Sequence, residues 1–178
     1  GQVAVRETSR QTAPVSSPRT SSVRARTGAR HFKVSFDASV STIGRIVGIG
    51  VVIRDCEGQF IAGLSKRIPI QTSADLAEAL AAREAVSLAR TLMIPSFILE
   101  GDASSVVKQI SSSDEILSDL GTVIEDIRLS LLNLPILNVV WTPREANRVA
   151  HSLAQFARSS SLSESLWNFP RLLPNSRC

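Results

Sequence analysis

Residues 32–39, Phe-Lys-Val-Ser-Phe-Asp-Ala-Ser, decide how this chain is read. Phe32, Val34 and Phe36 alternate with Lys33, Ser35 and Asp37, the period of two that marks a strand with one buried face. The alternation closes on an acid, Asp37, and the small residues Ala38 and Ser39 follow it. A carboxylate beside a packed sheet loses hydration unless something positive compensates it.

Working outward, Ile46–Arg54 is a β-branched run and Phe60–Leu64 a shorter apolar one. Asp55-Cys56-Glu57-Gly58 between them suits a hairpin turn, so three antiparallel strands open the domain. A long helix is expected over Asp75–Met93, stopping before Pro95 because the residue preceding a proline avoids helical torsions. Ser96–Glu100 reads as a fourth strand, Gly101–Ser104 turns into a short helix through Ile110, and 111–115 is a loop. Leu120–Leu132 has helical periodicity, Ile136–Trp141 is a last strand broken by Pro143, and Glu145–Ala157 is a last helix. The order βββαβααβα is an α/β arrangement without internal repeats.

Charge is unevenly spread. Residues 1–33 hold seven Lys/Arg against one acid, while 34–178 hold thirteen against fifteen. The first thirty residues, rich in Ser, Thr, Arg and Pro, cannot bury enough apolar surface to offset their ordering entropy. They are expected to be a disordered basic tail or linker, and their Arg- and Ser-rich, acid-poor make-up also suits an organelle transit peptide. Residues 31–158 are expected to form the domain and 159–178 a C-terminal tail. Within that tail, Leu166–Pro170 reads as a packing or disordered segment, or as an interaction motif. No run of eighteen apolar residues exists, so no membrane span is expected. Cys56 and Cys178 form neither a disulfide framework nor a metal knuckle by spacing, a pattern that fits a reducing compartment.

Two further acids stand out. On a helix of 100° per residue, Ala81, Ala82, Ala85, Ala89 and Leu92 all project within about 60° of Glu78. That puts Glu78 on the small-residue stripe that approaches the sheet. It can equally close a capping box with Asp75 as N-cap. Asp102 ends the fourth strand, where ligands bind in open α/β sheets, and can equally serve as a helix N-cap. Together Asp37, Glu78 and Asp102 have the hard-oxygen chemistry of a Mg²⁺ site, and two such ions about 4 Å apart can cleave a phosphodiester.

Beyond these acids, the segments FDAS at 36–39, GIGVVIRDCEGQF at 48–60, AEALAAREA at 77–85, LEGD at 99–102 and PREANRVAHSLA at 143–154 resemble the plant-type ribonuclease H-like domain, which occurs in retroelement reverse-transcriptase proteins and alone. The resemblance covers about residues 32–158 and implies a mixed five-stranded sheet flanked by helices. It implies that Asp37, Glu78 and Asp102 hold Mg²⁺ or Mn²⁺, two ions in an active enzyme. It places His151 at the family's fourth acidic position, as a catalytic residue beside the second ion or a water. An imidazole there adds no negative charge. Asn147, one turn earlier and about 40° away, shares that face.

The implied activity is endonucleolytic cleavage of the RNA strand of an RNA–DNA hybrid by an intracellular monomer, in nucleus or cytoplasm, or in an organelle if the tail is a transit peptide. Contacts to nucleic acid would come from Ser39, Ser104, Ser105, Lys108, Arg144, Asn147 and Arg148. The chain departs from the cellular enzymes in two places. The loop before the last helix lacks their assisting His, and Ser111–Asp119 is acidic where relatives carry a basic protrusion. The missing protrusion, the near-neutral domain and His151 keep open a non-catalytic nucleic-acid-binding module, and a protein-interaction domain or a retroelement remnant is a further alternative.

Overall fold

Strand β1 (Phe32–Ser41) is central, flanked by an antiparallel partner on one side and a parallel one on the other. A computed structural model describes residues 31–168 apart from Thr42 and Gly44. The basic segment 1–30 and residues 169–178 lie outside the described residues. β1 pairs with β2 (Ile46–Arg54), which pairs with β3 (Phe60–Ile68) around a turn closed by Gly58, whose φ of 81° suits glycine. Asp55 Oδ1 accepts the amides of Glu57 and Gln59 and shapes that turn.

Helix α1 (Ala74–Thr91) crosses to β4 (Phe97–Gly101), parallel to β1. Helices α2 (Ser104–Ser111) and α3 (Asp119–Leu131) lead to β5 (Ile136–Trp141), parallel to β4. A 3₁₀ turn at Arg144–Ala146 precedes α4 (Arg148–Ser159), so the helix expected from Glu145 is broken at Asn147.

The sheet has six strands in the order β5-β4-β1-β2-β3-β6, which corrects the expected five. The extra strand, β6 (Glu164–Asn168), falls in the stretch read as a tail and pairs antiparallel with β3. It covers backbone groups that would otherwise leave β3 an open edge. Five mostly exposed residues carry too little alternation to announce a strand. β3 itself runs to Ile68, past the apolar run that was visible, because Ser65, Lys66 and Arg67 still pair with β2.

The helices cover opposite faces. Under α1, α2 and α3 lies the aliphatic core, including Phe36, Ile49, Val51, Ala81, Ala85, Leu99 and Ile124. On the other face α4 lies directly on β2. A Cβ on Gly50 or Gly48 would meet the carbonyl of Ala150 or Ala154 at 2.0 Å, so only glycine permits this contact.

Candidate metal centre

β1 outruns β4, and that difference in length creates the site. The parallel ladder ends at Phe36↔Gly101, while the antiparallel pairing with β2 continues to Ser41↔Ile46. Asp37 and Asp102 are the first residues beyond the shorter ladder, at the mouth of the opening crevice. Asp37 therefore does not end its strand, as the apolar alternation had suggested. It sits inside β1 opposite Gly50, 1% exposed, on the face that carries α4.

Glu78 enters from the other helix. The N-cap of α1 is Ser73, whose hydroxyl accepts the Leu76 amide, so no capping box centred on Asp75 forms. Glu78 Oε1 instead accepts the backbone N–H of Ala38 at 3.3 Å, across to β1. Asp102 is likewise free of capping duty: the N-cap of α2 is Ala103, with no side-chain cap bond. The three acids thereby converge, each offering an oxygen within 4.8 Å of the other two.

Their electrostatics are those of a site short of positive charge. Burial pushes Glu78 up to about 10; the charge of Asp37, the hydrogen bond a protonated Glu78 can share with it, and the charge of Asp102 add to this, against the Ala38 amide. Asp102 is also raised, by burial and then by Asp37, against the opposing pull of Arg144, His151 and the Asn147 amide. Glu78 Oε2, Asp102 Oδ2 and Asn147 Oδ1 are buried without a hydrogen-bond partner. Buried carboxylate oxygens that repel one another and lack hydrogen-bond partners are what a divalent cation satisfies, so the residues present fit such an ion.

The other expected residues divide. His151 reaches the site, with Nδ1 2.7 Å from Asp37 Oδ2, so that nitrogen is engaged by a carboxylate. Asn147 is 2% exposed and its Nδ2 donates to the Phe36 carbonyl at 2.9 Å. It ties the start of α4 to β1. The break in helix before α4 turns it inward. Ser39 is also buried, which leaves little of its side chain for a ligand. Ser104 and Ser105 are exposed at the start of α2, where Ser105 Oγ donates to Asp75.

Lys108 is exposed a turn further on, lining a shallow cleft with Gln109, Asp114 and Arg128. Arg148 is exposed at the first turn of α4. Arg144, its side chain 74% exposed, places Nε 3.7 Å from Asp102 Oδ2. Sequence reasoning passed over Trp141, whose indole Nε1 donates to the Asp102 carbonyl at 3.1 Å. Its one signal was position: an aromatic at the last residue of β5, in register with Gly101.

Comparison with known proteins agrees with this geometry. Residues 35–157 match the family described as reverse transcriptase-like. The chain belongs to that family. Among solved structures, RNase H1 from the halophilic archaeon Halobacterium salinarum NRC-1 is 23% identical with a TM-score of 0.66, over 71% of this chain and 96% of that one. The N-terminal RNase H domain of a Mycobacterium tuberculosis protein is 20% identical, TM-score 0.65, over 71% and 92%. LC11-RNase H1, solved in complex with RNA/DNA hybrid, is 24% identical, TM-score 0.63, over 71% and 96%. No curated protein sequence matches. At these identities the likeness establishes the ribonuclease H fold, and the family member's activity has to be argued from its own site.

Proposed function

We propose that this protein is a divalent-metal-dependent endonuclease that cuts the RNA strand of RNA–DNA hybrids. The observation that carries the reading is the convergence of Asp37, Glu78 and Asp102 within 4.8 Å at the end of the β1–β4 ladder. Support comes from the complex of LC11-RNase H1, a protein of the same fold, with RNA/DNA hybrid.

Asp37, Glu78 and Asp102 would hold the metal. When bound, Mg²⁺ or Mn²⁺ supplies Lewis-acid polarisation of the phosphodiester and activates the attacking water. The chain's own groups do the rest. Ala38 N–H and the Ser73 cap fix Glu78 against β1, and Asn147 fixes the backbone of Phe36 beside Asp37. His151 holds the Asp37 carboxylate through Nδ1, leaving Nε2 to accept from a water in the neutral ring or to donate to a phosphate oxygen in the imidazolium. Arg144 is placed to meet a phosphate of the strand being cut. Ser104 and Ser105 offer hydroxyls on the same rim toward 2′-hydroxyls of the RNA.

A second reading is a hybrid-binding module that does not turn over. It is favoured by His151, which takes up one oxygen of Asp37 and brings no charge of its own in the neutral form. Cleavage of a labelled RNA–DNA hybrid in Mg²⁺ and in Mn²⁺, beside Asp37→Asn, separates the two. The nuclease reading expects metal-dependent cutting that leaves 5′-phosphate and 3′-hydroxyl ends and is lost in the folded variant. Hybrid retained in chelator with no cutting in either metal would select the binding module. Cutting that survives Asp37→Asn would refute the site.

A further inference from the structure

Two exposed side chains of the β5–α4 connection are anchored on one residue. Arg144 reaches the carboxylate of Asp102, and Trp141 donates its indole N–H to the same residue's carbonyl. Trp141 is 55% exposed, although it ends a sheet strand in a protein with only two tryptophans. Its register partner is Gly101, which has no side chain to cover it, and its N–H bond restricts how the ring can turn. An apolar ring held open to solvent beside a largely exposed cation, both tied to one acid of the cluster, has the composition of a nucleic-acid strand contact: a cation for phosphate, a ring for sugar or base.

We infer that Trp141 is a positioning residue for the nucleic-acid strand, its ring packing against the sugar of a nucleotide next to the one whose phosphate enters the metal centre. This rests on the proposed hybrid substrate and adds the contact that orients it. Bases inside a duplex have both faces covered by neighbours, so the surface a duplex offers the ring is the C–H face of a sugar.

Charge accounting points the same way. Residues 34–178 carry thirteen Lys/Arg against fifteen acids, and the cleft between the α2–α3 loop and α3 is lined by Glu115, Asp119, Glu125 and Asp126 beside a single cation, Arg128. Binding that rests on few phosphates is weak and salt-sensitive. Within the domain a contact that does not depend on counterions adds affinity that its charges do not, and Trp141 is the exposed aromatic tied to the site.

The test uses the full chain with Trp167→Phe, which leaves Trp141 as the one indole; Trp167 lies on β6 at the opposite edge of the sheet. Hybrid is titrated in chelator, following tryptophan emission and, in parallel, anisotropy of labelled hybrid at several salt concentrations. Emission from Trp141 should change on binding. Trp141→Ala should weaken binding roughly ten-fold with the salt slope unchanged, Trp141→Phe should restore most of it, and Arg144→Ala should lower the slope by about one. Hybrid binding with unchanged emission, and with Trp141→Ala folded and binding as tightly as its parent, would overturn the inference while leaving the hybrid reading intact. Absence of hybrid binding by the parent protein would overturn both, and is the outcome that distinguishes the two failures.

Discussion

The two helices that touch the central strands reach close contact by opposite means. α1 brings the small residues itself: Ala77, Ala81, Ala82, Ala85 and Ala89 are buried along it, and the sheet beneath keeps Phe36, Ile49 and Val51. On α4 the small residues of the helix, Ala150, Ala154 and Ala157, meet a sheet that has given up its own side chains at Gly48 and Gly50. The first solution leaves some tolerance, since an alanine stripe can shift against large, deformable side chains. The second leaves almost none, because backbone meets backbone. The acidic cluster and its supports draw on both: Glu78 comes from the tolerant helix, His151 and Asn147 from the intolerant one.

That contrast can be broken directly, and the largest effect should come from the glycine cradle. Gly50→Ala should destabilise the protein by about 3 kcal/mol or more, displacing α4 and the His151–Asp37 bond. Ala85→Val on the stripe should cost about 1–2 kcal/mol. Urea unfolding of the two variants measures the difference, and equal losses would remove the distinction between the faces.

A middle-sized effect concerns Glu78 and has a defined sign. Its folded pKa, about 10, lies above the unfolded 4.5, so between these values the folded state holds a proton that unfolding releases. Stability of the metal-free protein should therefore fall as pH rises across that window, with a slope of up to about 1.4 kcal/mol per pH unit. The raised Asp102 adds in the same direction at the lower end. Glu78→Gln should flatten the profile and raise the metal-free melting temperature at pH 8. A wild-type profile that rises with pH would contradict the burial argument.

The smallest effect tests how α1 is capped. Ser73→Ala should cost about 1 kcal/mol, the ordinary loss for an N-cap, while Asp75→Ala should cost less, since Asp75 is not the cap. Thermal unfolding of the two variants reverses in order if Asp75 caps the helix.

How much of this was legible beforehand follows from which residues had local signals. β2 and β5 carried β-branched or apolar runs and α1 a helical stripe, so those elements were readable with bounds close to those observed, while the alternation of β1 marked its start at Phe32 but not its end at Ser41. The acids were readable as exceptions to these patterns. Three things were not. β6 is short and exposed, and its reason for being a strand is the open edge of β3, which no local pattern encodes. The position of Asp37 inside β1 depends on β4 ending earlier, a relation between two distant segments. The burial of Asn147 depends on a break between the 3₁₀ turn and α4 that helical periodicity smooths over. Trp141 escaped because an apolar residue at a strand end reads as core until the register with Gly101 is known.

The most direct test of the account is calorimetric titration of the full chain and of Glu78→Gln with Mn²⁺ at pH 8, in buffers of different ionisation enthalpy. The ion should bind the wild-type protein with release of a proton, because the metal must displace the one held by Glu78, and Glu78→Gln should bind about ten-fold more weakly or worse while being more stable without metal. Equal affinity in the two proteins, or no binding to the folded wild type, would show that these carboxylates are not a cation site.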